Sequence, residues 1–165
     1  MSAGLIVADA GPLIALAVGG VLPACVTLLG GLLVPQDVLD ECSADPSAHG
    51  AAVISELRNQ GRFQVVDHGA LAPLDPVFAQ GLGTGEIAVL AYARARHLVA
   101  LIDERRARRV ARILNVAVIG SGALLVELKR QGAIPSVTPV LSAWKAHGYF
   151  LAEAVRKEIL LRANE

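Results

Sequence analysis

From Ala10 to Gln36 the chain carries not one charged side chain, and Asp9 stands directly before that stretch. An uncharged run of this length either crosses a bilayer or fills a protein core. Pro12, Pro23, Gly19-Gly20 and Gly30-Gly31 cut it into pieces too short to span. No Lys or Arg precedes Arg58, so a positive flank and a signal-peptide n-region are both missing. A membrane span is therefore not expected, and the reading is a cytoplasmic chain whose uncharged stretch is core.

What kind of core follows from the alternation of short apolar runs with helical patterns, which specifies α/β with a mainly parallel sheet. Strands are expected at Gly4–Ala8, Leu32–Val34, Phe63–Val66, Leu98–Ile102 and Val116–Ile119. Helices are expected at Pro12–Val18, Leu22–Leu29, Gln36–Cys42 with Pro35 in its first turn, and Ser47–Asn59. Others follow at Glu86–Arg96, Glu104–Leu114, Ala123–Gln131, about Val137–His147 and Leu151–Ala163. Leu71–Leu82, with Pro73 and Pro76, reads as loop with a turn of helix. The 165 residues fit one domain, 1–165, whose last two helices pack on it or on a partner. With 54% hydrophobic but only 4% aromatic residues, the core must be aliphatic.

Four carboxylates occupy informative places. Asp9 and Asp103 each follow an apolar strand directly, and parallel sheets bind ligands outside the carboxyl ends of their strands. Each could equally be a helix cap. Glu86 heads a stripe of Val89, Leu90 and Ala93 at helical spacing, a costly place for an unpaired charge, although a first-turn anion also suits the helix dipole. In Gln36–Cys42, Glu41 borders the face of Val38, Leu39 and Cys42 while Asp40 falls opposite; Glu41 is the better candidate, a solvated charge the alternative. Converging carboxylates repel, and Mg2+ or Mn2+ relieves that repulsion because hard cations take oxygen ligands. Such a site suits phosphodiester hydrolysis.

Cys25 and Cys42 form no CxxC pair, and His49, His68, His97 and His147 are scattered, so neither residue type suggests a metal site. Zero formal net charge excludes nucleic-acid binding by bulk charge. A local patch remains: seven of fifteen Lys and Arg residues fall between Arg94 and Arg112. Arg105, Arg108, Arg109 and Arg112 share one helix face that begins beside Asp103, as a phosphate-guiding surface would. An ordinary solvated face has the same pattern. Arg106 lies nearer the apolar side, within reach of a carboxylate partner.

The segments VADAGPLIALA, VPQDVLDEC, GTGEIAVLAYA and LIDERRARRVARILNV stand in the order and spacing of PIN-domain proteins. The tail from Ala133 to Glu165 resembles the ending of a prokaryotic branch long labelled as a domain of unknown function. The resemblance implies a PIN-like α/β/α sandwich with four or five strands. It also implies a Mg2+- or Mn2+-dependent nuclease, often a toxin ribonuclease of the VapBC type, with Asp9, Glu41, Glu86 and Asp103 as its acids. Such toxins are typically homodimers restrained by a small DNA-binding antitoxin. The chain departs from the pattern in having Glu, not Asp, as third acid, and no Ser or Thr before Asp103. Glu104 follows as a fifth oxygen ligand or a helix cap.

The leading expectation is thus a metal-dependent endoribonuclease, the toxin of a type II pair. The alternative is a catalytically silent PIN-like module that dimerises and binds a protein partner. A phospho-acceptor domain would require a Lys near the last strand, but Val116–Ser121 has none and Lys129 falls within a helix.

Overall fold

The computed structural model describes residues 5–165; Gly4, expected to open the first strand, lies outside them. Strands β1 (Ile6–Ala8), β2 (Leu32–Pro35), β3 (Phe63–Val66), β4 (Val99–Leu101) and β5 (Val118–Ile119) form one parallel sheet in the order β3-β2-β1-β4-β5. Helices α1 (Ala10–Val18), α2 (Leu22–Leu29), α3 (Gln36–Ser43), α4 (Ala51–Asn59) and α5 (Pro76–Ala79) come from the first half. The second half supplies α6 (Thr84–Arg96), α7 (Arg105–Ile113), α8 (Ser121–Arg130), α9 (Thr138–Ala146) and α10 (Glu153–Arg162). Helices flank the sheet, so β1, β2 and most of β4 are buried, as uninterrupted apolar strands should be. At the edge, β3 exposes Gln64 and Val65. This is the expected PIN-like α/β/α arrangement.

The uncharged stretch becomes α1, α2 and β2. The two helices bend back on each other by 119°, and no helix among the described residues is long and apolar enough to cross a membrane. Leu13, Leu16 and Leu22 are fully buried, each contributing about 1.5–3 kcal/mol by leaving water. Pro12 sits in the first turn of α1, where its missing N–H removes no helical hydrogen bond.

Several boundaries differ from expectation for identifiable reasons. Pro35 closes β2 in an extended conformation (φ −59°, ψ 147°) and precedes α3 instead of sitting in its first turn. The helix expected from Ser47 starts at Ala51: the Asp45 carboxylate accepts from Ser47 N at 3.0 Å and Ser47 Oγ at 2.6 Å, holding a turn. Gly50 then takes a φ of 89° immediately before α4. Among the described residues Arg106 finds no carboxylate; it donates to the Gln80 carbonyl at 2.5 Å, across to the irregular segment before α6.

The last helices pack on the body. Trp144 of α9 is fully buried, and its Nε1–H donates to the Ala15 carbonyl of α1 at 2.6 Å. Gly122 of α8 lets α10 approach so closely that a Cβ there would stand 2.6 Å from Ile159 Cδ1.

Candidate active site

Strand order determines where a cleft can form. From β1 the chain builds outward through β2 to β3, then returns to add β4 and β5 on the other side of β1. The switch point therefore lies between β1 and β4, where their following segments diverge. Ala8 pairs with Leu101, and Asp9 N donates to Leu101 O at 3.1 Å. Asp9 and Asp103 thus leave neighbouring strands at the same edge.

Asp9 precedes α1 with only 6% of its surface exposed, yet its side chain does not cap the helix. Among the described residues its Oδ1 is buried without a hydrogen-bond partner. Burial, followed by repulsion from Glu86, Glu41 and Asp103, pushes its pKa up to about 7 against an offset from the Ala10 amide. Those three acids are the ones picked out by sequence, and all face Asp9 closely enough to matter. Glu41, exposed at the rim on α3, and Asp9 meet across Gly85 of α6. A Cβ on Gly85 would stand 3.0 Å from Glu41 Oε2 and 3.5 Å from Asp9 Oδ1, so glycine keeps the floor of the site open. Asp40 turns away: it accepts from Gln36 Nε2 at 2.6 Å in the exposed part of α3.

Glu86 lies in the first turn of α6, as its helix-dipole reading expects. Its Oε2 accepts from Gly83 N at 2.8 Å, capping α6, and the residue is half-buried on the helix that buries Val89, Leu90 and Ala93. Asp103 is held by three donors. Ser121 N reaches Oδ1 at 2.8 Å, Ser121 Oγ reaches Oδ2 at 2.7 Å, and the Tyr149 hydroxyl also donates to Oδ2. Glu104 acts as a helix cap, accepting from Ala107 N at 2.8 Å.

Ser121 and Tyr149 carry no signal of their own in the sequence. Ser121 had one indirect clue, since it lies two residues past the end of β5, as Asp103 does past the end of β4. Tyr149 lies 46 residues from its partner and is placed only by the packing of α9. Burial, Asp103 and the hydrogen bond between them raise the phenol's pKa, so it remains a donor.

The arginines divide. Arg105 and Arg108 line a cleft of about 430 Å³ beside Asp103, with Tyr149 and Phe150 across from them. Arg108 and Asp103 flank Gly120, and Arg108 Nη1 also donates to the Ile102 carbonyl at 3.2 Å. Arg109 and Arg112 lie further along the exposed face of α7, whose inner side buries Ala107, Val110 and Ala111. Of the histidines, His68 approaches Asp37 at 3.3 Å, and His49 packs edge-on against His147. Both cysteines are buried and their thiols pushed up to about 12, which makes them inert packing groups.

A divalent cation suits this end of the sheet on one direct observation, the buried and unpartnered Asp9 Oδ1 among three further acids. The donors are all oxygens, as Mg2+ and Mn2+ prefer. Among the described residues, no three acids, histidines or cysteines stand close enough to share one ion as placed.

Comparison with known proteins gives one finding: a family model described as a PIN domain matches residues 5–165. No curated protein and no solved structure matches the chain.

Proposed function

The chain belongs to the PIN-domain family, whose members are generally metal-dependent nucleases, and from that premise we propose that it is a Mg2+- or Mn2+-dependent endoribonuclease. The observation that carries the proposal is the buried Asp9 oxygen without a partner, ringed by Glu41, Glu86 and Asp103.

In this reading Asp9, Glu41, Glu86 and Asp103 hold the ion, directly or through water. Glu104 is left out because, unlike Glu86, which also caps its helix, it is not among the acids that repel Asp9. When bound, the ion polarises the scissile phosphoryl group and makes hydroxide available near neutral pH. The chain's own residues do the rest. Ser121 and Tyr149 fix the orientation of Asp103, as outer partners of a metal ligand do. Arg105 and Arg108 take the phosphate beside the acids, and Arg109 and Arg112 extend the positive face along which RNA approaches.

The proposal extends to the biological setting: a cytoplasmic toxin of a type II pair, folded as one domain, acting as a homodimer and silenced by a small DNA-binding antitoxin. Incubating purified protein with mixed tRNA and mRNA tests the chemistry. Cutting is expected with Mn2+, none with EDTA, and none from Asp9→Asn; metal-independent cutting, or cutting retained by that variant, refutes the proposal. A monomer by light scattering at micromolar concentration would refute the dimer.

A further inference from the structure

The cleft beside Asp103 has lining that metal chemistry does not account for. Arg105 and Arg108 of α7 line it together with Tyr149, Phe150 and residues of α10, and of these Phe150 has no part in holding the acids. The chain leaves α9 at Gly148, whose φ of 81° turns it sharply. Tyr149 is then pinned three ways. Its N–H donates to the Trp144 carbonyl at 2.8 Å, its ring lies 5.1 Å from the buried Trp144 indole, and its hydroxyl reaches Asp103.

Phe150, the next residue, has the opposite disposition. It is 78% exposed, more than any other large hydrophobic side chain among the described residues. The chain has only three phenylalanines. One of them stands in water on a segment anchored by its neighbour, in the same cleft as the guanidinium groups of Arg105, Arg108 and Arg162 and the carboxylate of Asp103. A phenyl ring so placed offers a rigid flat face at little entropic cost, and unpaired bases stack on such faces while arginines hold the backbone.

We infer that this cleft is a subsite for one unpaired nucleotide of RNA, with its base stacked on Phe150 and its phosphate on Arg105 and Arg108. The choice of RNA rests on the nuclease reading above; the choice of an unpaired nucleotide rests on Phe150. A duplex keeps its base faces stacked inside and cannot present one to the ring. The volume of about 430 Å³ lies in the range of small-ligand clefts. Glu158 and Arg162 also line it, so its rim carries both an acceptor and donors for a base edge.

The test is binding without turnover. Full-length protein in EDTA is titrated into a labelled single-stranded RNA and into a hairpin stem of equal composition, followed by fluorescence anisotropy. Phe150→Ala and Phe150→Leu should both weaken single-strand binding about tenfold, within the usual range for a stacked base. Phe150→Trp should retain binding, and its added indole should be quenched by the single strand and not by the stem. Binding should not change for the stem in any variant. Wild-type strength in Phe150→Ala, equal weakening for the stem, or full affinity in Phe150→Leu overturns the subsite. So does a change of oligomeric mass in Phe150→Ala without loss of RNA binding, which would make Phe150 a contact between copies. The two readings fail separately. Cleavage with Mn2+ combined with indifference to Phe150 leaves the nuclease and removes the subsite. Stacking on Phe150 without cleavage under Mn2+ does the reverse.

Discussion

Asp9 and Glu165 are both carboxylates set against packed structure, and they are treated in opposite ways. Glu165 is surrounded by donors: Lys129 Nζ at 2.7 Å, Ser136 Oγ at 2.6 Å, Val137 N at 2.8 Å, Thr138 N at 3.0 Å, and the Thr138 hydroxyl. These bonds hold its pKa well below the usual carboxylate range, and they cap α9 while tying the chain after α10 to α8. Asp9 is more deeply buried, has an oxygen without a donor, and faces three acids. A fold able to saturate one carboxylate has left the other exposed to repulsion. On the proposed function, the contrast separates an acid used for stability from an acid kept available for a ligand of opposite charge.

The largest effects are expected at Asp9. Asp9→Asn should lower metal-dependent cleavage by more than about 100-fold, beyond the 10–100-fold typical of outer partners of a ligand. The same variant should melt higher than the parent at pH 8 in EDTA, because it removes a buried charge that nothing compensates. Lower melting together with full activity would erase the contrast with Glu165.

The pH dependence of the two acids should have opposite sign. Asp9 binds its proton more tightly when folded, with a pKa of about 7 against 3.8. Its contribution is therefore full below about pH 3.8 and lost as pH rises towards 7. At 1.36 kcal/mol per unit, the loss is about 4 kcal/mol for the metal-free protein. Glu165, depressed from 4.5, contributes fully above that pH and loses its effect as acid protonates it. Urea melts in EDTA from pH 4 to 8 measure the first, and Mn2+ should restore most of the loss at pH 8. A metal-free stability that stays level from pH 4 to 8 would mean that Asp9 is not strained.

Next in size is Tyr149→Phe, which removes one donor from Asp103 and leaves the ring against Trp144. Mn2+ affinity, read by calorimetry, should fall about 10–100-fold while thermal stability without metal changes little. Unchanged Mn2+ affinity would show that the phenol does not position Asp103.

Why the sequence exposed Asp9 and Asp103 but not Tyr149 is a matter of range. A residue that ends an apolar strand is placed by the strand itself, so position along the chain is enough. Glu86 and Glu41 needed only helical periodicity. Ser121 and Tyr149 reach Asp103 across 18 and 46 residues, through tertiary packing that periodicity does not encode. Arg106 shows the same limit from the other side. Its place on the wheel suggested a carboxylate, but the packing of α7 offers it the Gln80 carbonyl in a segment without regular pattern. Phe150 was hidden differently: a single Phe next to Tyr149 has no periodic pattern around it, and its exposure is a tertiary property.

The smallest expected effect tests the stability half of the contrast. Glu165→Gln keeps the shape of the side chain but replaces one acceptor oxygen with an NH2 group that faces Lys129 or the Ser136 and Thr138 donors. Charge-assisted bonds become neutral ones or are lost, so stability at pH 7 should drop by about 1–3 kcal/mol. Most of that difference from the parent should vanish near pH 2, where the parent carboxylate is protonated in the unfolded chain and increasingly in the folded one. Cleavage at 25 °C should be unchanged, because Glu165 touches neither the acids nor the cleft. If the variant instead lost activity while keeping its stability, the clamp would be setting the position of α10 as a wall of the cleft, and both carboxylates would then serve the site.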